Sequence, residues 1–224
     1  MGSETNHSKI ITKAAKSILQ PMGLFQKGKS RVWIDDNDWF FTVVEFQPSG
    51  FTKGSHLNVA VNFLWHKTDH LAYHFHYGDS PRANKFVPYS GDDERFYDDM
   101  LAFAYEAAKL VDEYRKLKNM LFAKRAILKY KPKVKAALYD KMMFCGMTKS
   151  IWARKYFRQL MEFVEHSEHD QSELKEELLS EIAPIIKDRQ KFHDYVHAKI
   201  SAQRTVWNLR GTLKCDVSAN ITET

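Results

Sequence analysis

The chain has 224 residues and only two cysteines, Cys145 and Cys215, with no CxxC spacing. That is too few for a disulfide framework, so a reducing compartment is expected. No apolar run approaches the roughly 18 residues that a spanning helix needs. Met1 to Ser8 is polar and carries no apolar signal core. A cytoplasmic protein without a membrane partner is the expectation. Catalytic signatures are missing too: there is no GxSxG, no phosphate-binding P-loop and no dinucleotide fingerprint. Cys145 sits in Met142-Met143-Phe144-Cys145-Gly146, the apolar setting of a buried thiol rather than a nucleophile. No helix-turn-helix, zinc-finger or RNP-type pattern is present. No catalytic residue, metal ligand or cofactor is therefore assigned.

What is present is a folded, two-part chain. Hydrophobic residues make up 44% and aromatics 13%, enough for a sizeable core. Near residue 92 the apolar spacing changes from strand-like to helical. A first amphipathic helix is predicted over 8–19, with Asn6 or Ser8 as cap and Pro21 and Gly23 as stop signals. Strands are predicted over 31–35, 39–46, 57–65 and 71–77, with antiparallel pairing through short connections. Alternation puts Leu57, Val59, Val61, Phe63 and Trp65 on one side, with Asn58, Ala60 and Asn62 on the other. The same rule puts Tyr73 and Phe75 opposite His74 and His76.

Asp92 or Asp93 can cap a long helix reaching Leu128, which Lys131-Pro132 breaks. A helix from Pro132 should end at Gly146 as C-cap, and Thr148 should cap the next. Asp170 and Glu173 have capping-box spacing. The last helix should run to about Leu209, kinked or split at Pro184, with Gly211 ending it. The expected fold is α+β: an N-terminal helix on an antiparallel sheet of about four strands, then a long helix and a C-terminal helical bundle. The expected divisions are 8–128, 132–211 and a loose tail over 212–224.

Residues 8 to 120 resemble a bacterial family of small α+β domains of unknown function. The pattern runs through Ile18-Leu19-Gln20-Pro21-Met22-Gly23-Leu24-Phe25 and Lys27-Gly28. It continues with Val44-Glu45-Phe46-Gln47-Pro48-Ser49 and Leu57-Asn58-Val59-Ala60-Val61. The resemblance implies a fold and no activity.

Three constellations could carry function. Glu45, Gln47, Asn58, Asn62, His74 and His76 can share one sheet face and bind a polar ligand or a partner. The alternative is an ordinary polar sheet face, solvated or packed against the C-terminal helices. The second is histidine density: His66, His70, His74 and His76 cluster, and His193 and His197 form an i,i+4 pair. His166, His169 and Asp170 add a third cluster. His193-Asp194-Tyr195-Val196-His197 lacks the glutamate of a metalloprotease helix. The third is charge. Lys109 to Arg158 holds 15 Lys or Arg against three acids, whereas Glu162 to Glu181 holds eight acids against one base. Lys124, Arg125, Lys129, Lys131, Lys133 and Lys135 form the densest basic group, able to neutralise phosphates unless the acidic block pairs with them.

The leading functional expectation is a non-enzymatic cytoplasmic binding module recognising a protein or a nucleic-acid-containing complex. The alternative is a metal-dependent hydrolase-type enzyme using the clustered histidines. A protein partner, nucleic acid and a second copy of the chain are the candidate partners.

Overall fold

The computed structural model describes residues 6–76, 80–83, 86–130, 134–167 and 171–209. The chain is α+β and divides into two units. The first comprises the residues up to Phe63 together with His70–Lys116. The second comprises Leu64–Asp69 and the chain from Leu117 onward. The division falls at Lys116, ahead of the expected boundary between 128 and 132.

In the first unit, α1 (Asn6–Leu19) buries Ile11, Ala14, Ala15 and Leu19 along one stripe. It ends where Gly23 takes φ +92°, which lets Leu24 N–H reach back to the Leu19 carbonyl. The sheet is antiparallel in the order β1 (Phe25–Gln26), β2 (Val32–Asp36), β3 (Phe40–Gln47), β4 (Gly54–Phe63), β5 (Val87–Pro88). The Asp-Asn-Asp turn closes the β2–β3 hairpin, with Asn37 Nδ2 donating to the Asp35 carbonyl at 2.9 Å and Asp38 at φ +69°. The long helix α2 (Asp93–Arg115) packs on α1 and on β3 and β4. Asp92 caps it by accepting from Arg95 N–H at 3.0 Å. Arg115 holds the other end: its guanidinium grips both oxygens of buried Asp35 and donates to the Met22 carbonyl at 2.7 Å.

Several expectations change here. The stretch predicted as a fourth strand over 71–77 forms no ladder. Among the described residues its one β-bridge to β4 is Phe75 to Val61, and Tyr77 lies outside them. Tyr73 adopts φ +48°, which breaks the alternation. Phe75 accordingly lies edge-on to Tyr114 of α2, whereas the Tyr73 hydroxyl donates to Glu45 on the opposite sheet face. The β4 edge is instead lined by three short pieces, at Phe75, at Pro81–Ala83 and at β5. Such interrupted pairing blunts an edge that would otherwise template aggregation. β4 also ends at Phe63, so Trp65 belongs to the second unit and not to the strand face.

The second unit is helical. A 3₁₀ turn (Lys116–Lys118) follows α2, and α3 (Met120–Lys129) starts afresh. The single long helix predicted to Leu128 is thus broken. Asn119 accepts from Leu121 and Phe122 N–H at 3.0 and 3.1 Å, an N-cap that restarts the helix. The Lys131-Pro132 break lies outside the described residues. α4 (Val134–Met147) runs one residue past Gly146, so Gly146 is a helix residue and not its cap. A Cβ there would lie 2.5 Å from Phe192 and 2.9 Å from Val196; glycine allows α7 to approach α4. The left-handed residue that ends α4 is Lys149, at φ +53°, with Ser150 N–H bonded to the Cys145 carbonyl. Thr148 does not cap the next helix; its hydroxyl turns back to the Phe144 carbonyl at 3.0 Å.

α5 (Ala153–Glu165) follows, buried at Leu160 and Val164. α6 (Ser172–Glu176) begins after Gln171, which makes no side-chain cap bond; Asp170 of the expected capping box lies outside the described residues. A π-helical segment (Glu177–Ile182) leads into the turn around Pro184. α7 (Arg189–Val206) is capped by Asp188. The final helix is therefore split, as the proline suggested. Gly211 and the tail over 212–224 lie outside the described residues. No described helix is long and apolar enough to cross a membrane.

Candidate functional site

Of the sheet residues singled out above, Glu45, Gln47 and Asn58 share hydrogen bonds, and Asn62 lies on the same face of β4. Register pairs Glu45 with Asn58 and Phe41 with Asn62. Both asparagines are buried, at 4% and 1% exposure, so this face is not the solvated one that alternation suggested. Asn58 Nδ2 donates to Glu45 Oε2 and Gln47 Oε1, each at 2.9 Å. Arg82 also donates to Gln47, and Tyr73 N–H to Asn62 Oδ1 at 2.8 Å. Burial, then the Glu45 carboxylate, push the Tyr73 phenol well above its usual range. Glu45, Gln47 and Asn58 are turned on one another in a hydrogen-bonded seam, whereas Asn62 Nδ2 is buried with no hydrogen-bond partner among the described residues. His74 Nδ1 accepts from Phe63 N–H at 2.9 Å, and its ring stacks on Phe63. His76 is half-buried nearby in sequence.

The remaining histidines are distributed. His66 Nε2 meets buried Asp140 at 2.7 Å, and Trp65 Nε1 donates to the same oxygen at 2.9 Å. His193 and His197 lie side by side, with ring centroids 4.2 Å apart. His166 Nδ1 donates to the Glu162 carbonyl, and His169 lies outside the described residues. Among the described residues no three His, Cys, Asp or Glu groups gather in a way that could hold a metal ion.

A second polar cluster was not foreseen. Glu177, at the start of the π-helical segment, accepts from Tyr139 at 2.7 Å, Tyr195 at 3.0 Å and Lys199 at 2.5 Å. Burial alone would raise the Glu177 carboxyl. The Lys199 ammonium and the two phenols outweigh it and hold the carboxyl below its ordinary range. Tyr139 and Tyr195 are pushed up, by burial first and then by Glu177. No sequence signal marks this set, because its members come from α4, the π-helical segment and α7.

The basic residues remain open. Arg125 and Lys129 are exposed on α3, and Lys124 and, on α4, Lys135 are half-buried. Lys131 and Lys133 lie outside the described residues. Among the described residues, Lys124, Arg125, Lys129 and Lys135 form no ion pair, whether with Glu162–Glu181 or with any other acid. The acidic block spends Glu177 on Lys199, and Glu177 and Glu181 on Tyr195.

A cavity of about 90 Å³ opens in the same unit, lined by residues that include Cys145, Lys149, Ser150, Arg154 and Arg189. Burial pushes the Cys145 thiol up to about 11, which leaves it protonated and inert at neutral pH. Lys149, Arg154 and Arg189 were missed as a group. The signal was legible in part: from Lys149 to Arg158 the chain has four Lys or Arg and no acid.

No family model matches the chain, and no curated protein or solved structure is significantly similar to it.

Proposed function

We propose that the protein is a non-enzymatic binding module that engages a nucleic-acid-containing complex through the basic surface of α3 and α4. The observation that carries this reading is that Lys124, Arg125, Lys129 and Lys135 form no ion pair among the described residues. Between residues 117 and 158 the chain places 12 Lys or Arg against one acid, Asp140. That acid is committed to His66 and Trp65. A solvated face built only for solubility mixes both signs. A surface of one sign instead draws in polyanions. The seam of Glu45, Gln47 and Asn58 has its polar groups engaged internally, so the proposed contact is left to the helical unit.

The test is fluorescence anisotropy with labelled single-stranded DNA and RNA at low salt. Wild type should bind with little sequence preference. The triple variant Arg125→Glu, Lys129→Glu, Lys135→Glu should lose most of that binding. Absence of wild-type binding to both nucleic acids would overturn the reading.

A further inference from the structure

We propose that the cavity rimmed by Lys149, Arg154 and Arg189 is a seat for a single terminal phosphoryl group. The inference goes beyond the reading of the α3–α4 surface and uses none of its residues. Three cationic side chains line this cavity, and no carboxylate is among its lining residues. Two of the three are not consumed by the described residues. Arg154 donates to the Lys187 carbonyl, while Lys149 and Arg189 make no hydrogen bond or ion pair through their side chains among the described residues. Asp188, the nearest acid in sequence, spends its carboxylate on capping α7 through Gln190 and Lys191 N–H. The exposed Asp194 carboxyl is drawn down by His193 first and Gln190 next, and least by Lys149.

The backbone adds to the same field. Arg154 and Arg189 stand in the first turns of α5 and α7, where cations oppose the helix dipole. Ser150, Ile151, Ala153 and Arg154 at the start of α5 all line the cavity. The amides there are engaged, Trp152 and Ala153 N–H by Ser150 and Gln190 and Lys191 N–H by Asp188, so the side chains make the site. Two arginines thus stand where folding disfavours them, around one concavity. The arrangement suits an anion that accepts from guanidinium. The cavity, of about 90 Å³, has room for a tetrahedral oxyanion. The close approach at Gly146 builds the site, because it brings the start of α7 against the end of α4.

The phosphoryl group can come from a nucleic-acid end or from a small phosphorylated molecule, and one experiment separates them. Inorganic phosphate is titrated at constant ionic strength while amide shifts of Ala153, Arg154 and Arg189 are followed by NMR. Hexathymidylates with a 5′-phosphate and with a 5′-hydroxyl are then compared by anisotropy. Saturable shifts at those amides are expected. A preference of about tenfold for the 5′-phosphate assigns the seat to a nucleic-acid end. Saturable phosphate binding without that preference assigns it to a small phosphorylated molecule. Arg154→Gln with Arg189→Gln should abolish the phosphate shifts, whereas Arg125→Gln with Lys129→Gln should leave them. If the double variant loses its spectral dispersion, Arg189→Gln alone serves, since that side chain has no partner to lose. Wild-type protein without saturable phosphate shifts at these amides overturns the proposal, as does phosphate binding that survives Arg154→Gln with Arg189→Gln.

Discussion

Phe63 ends β4 on the covered side of the sheet at 2% exposure, stacked between Trp39 and His74. Its truncation to alanine should cost about 3–5 kcal/mol, read as a lower urea midpoint. A loss near zero would mean that the site collapses or that its burial contributes nothing. Glu177 carries a pH dependence. Its folded carboxyl titrates below the ordinary value of about 4.3, under the pull of Lys199, Tyr139 and Tyr195. The stability it contributes is therefore fully present above that ordinary value. It is lost as the pH falls through the lower, folded value. Thermal melts should show wild type losing stability in acid below about pH 4.3 more steeply than Glu177→Gln. Parallel melting curves for the two proteins would refute the assignment. At this scale the sequence was informative about which side chains are polar and silent about their partners. Asn58 is an example: its two acceptors lie 11 and 13 residues away on β3.

Elements succeed or fail on local competition. The long helix predicted from Asp92 to Leu128 breaks because Asn119 captures two amides and begins a new one. The α4 terminus was misread for the opposite reason. Gly146 looks like a stop signal, yet its lack of a Cβ serves packing against Phe192 and Val196. Gly146→Ala gains about 1 kcal/mol in helix propensity and incurs an overpacking cost of about 1–3 kcal/mol. The contacts at 2.5 and 2.9 Å fall on well-buried side chains, so the balance should be a lower melting temperature. Adding Phe192→Leu to Gly146→Ala should recover part of the loss; a melting temperature unchanged in the single variant would show that α7 shifts freely. The π-helical segment at Glu177–Ile182 left no trace in the spacing. Its extra residue per turn is held by tertiary contacts such as those of Glu177.

For the whole molecule, charge is the property that spans elements. The helical unit's basic run meets few acids within its own fold, and the proposed contact with polyanions follows. Because such contacts release counterions, log K should fall linearly with log salt, by about 0.7 per phosphate neutralised on a single strand. Each of the three reversals at Arg125, Lys129 and Lys135 should flatten that slope. A slope unchanged in the triple variant would move the contact elsewhere on the chain.

The fold class, the helix over α1, the β2–β3–β4 meander and the charge asymmetry were determined by the sequence itself. Each depends on near neighbours: alternation, caps, turn residues and composition. The polar seam on β3 and β4, the opposite turning of Tyr73 and Phe75, the Glu177 cluster and the cavity of Lys149, Arg154 and Arg189 were decided only by tertiary structure. Arg189 is 40 residues from Lys149, and only the packing of α7 across Gly146 brings them to one rim. Periodicity reports which face of an element is apolar. It does not report which other element that face will meet, and a binding site is made of such meetings.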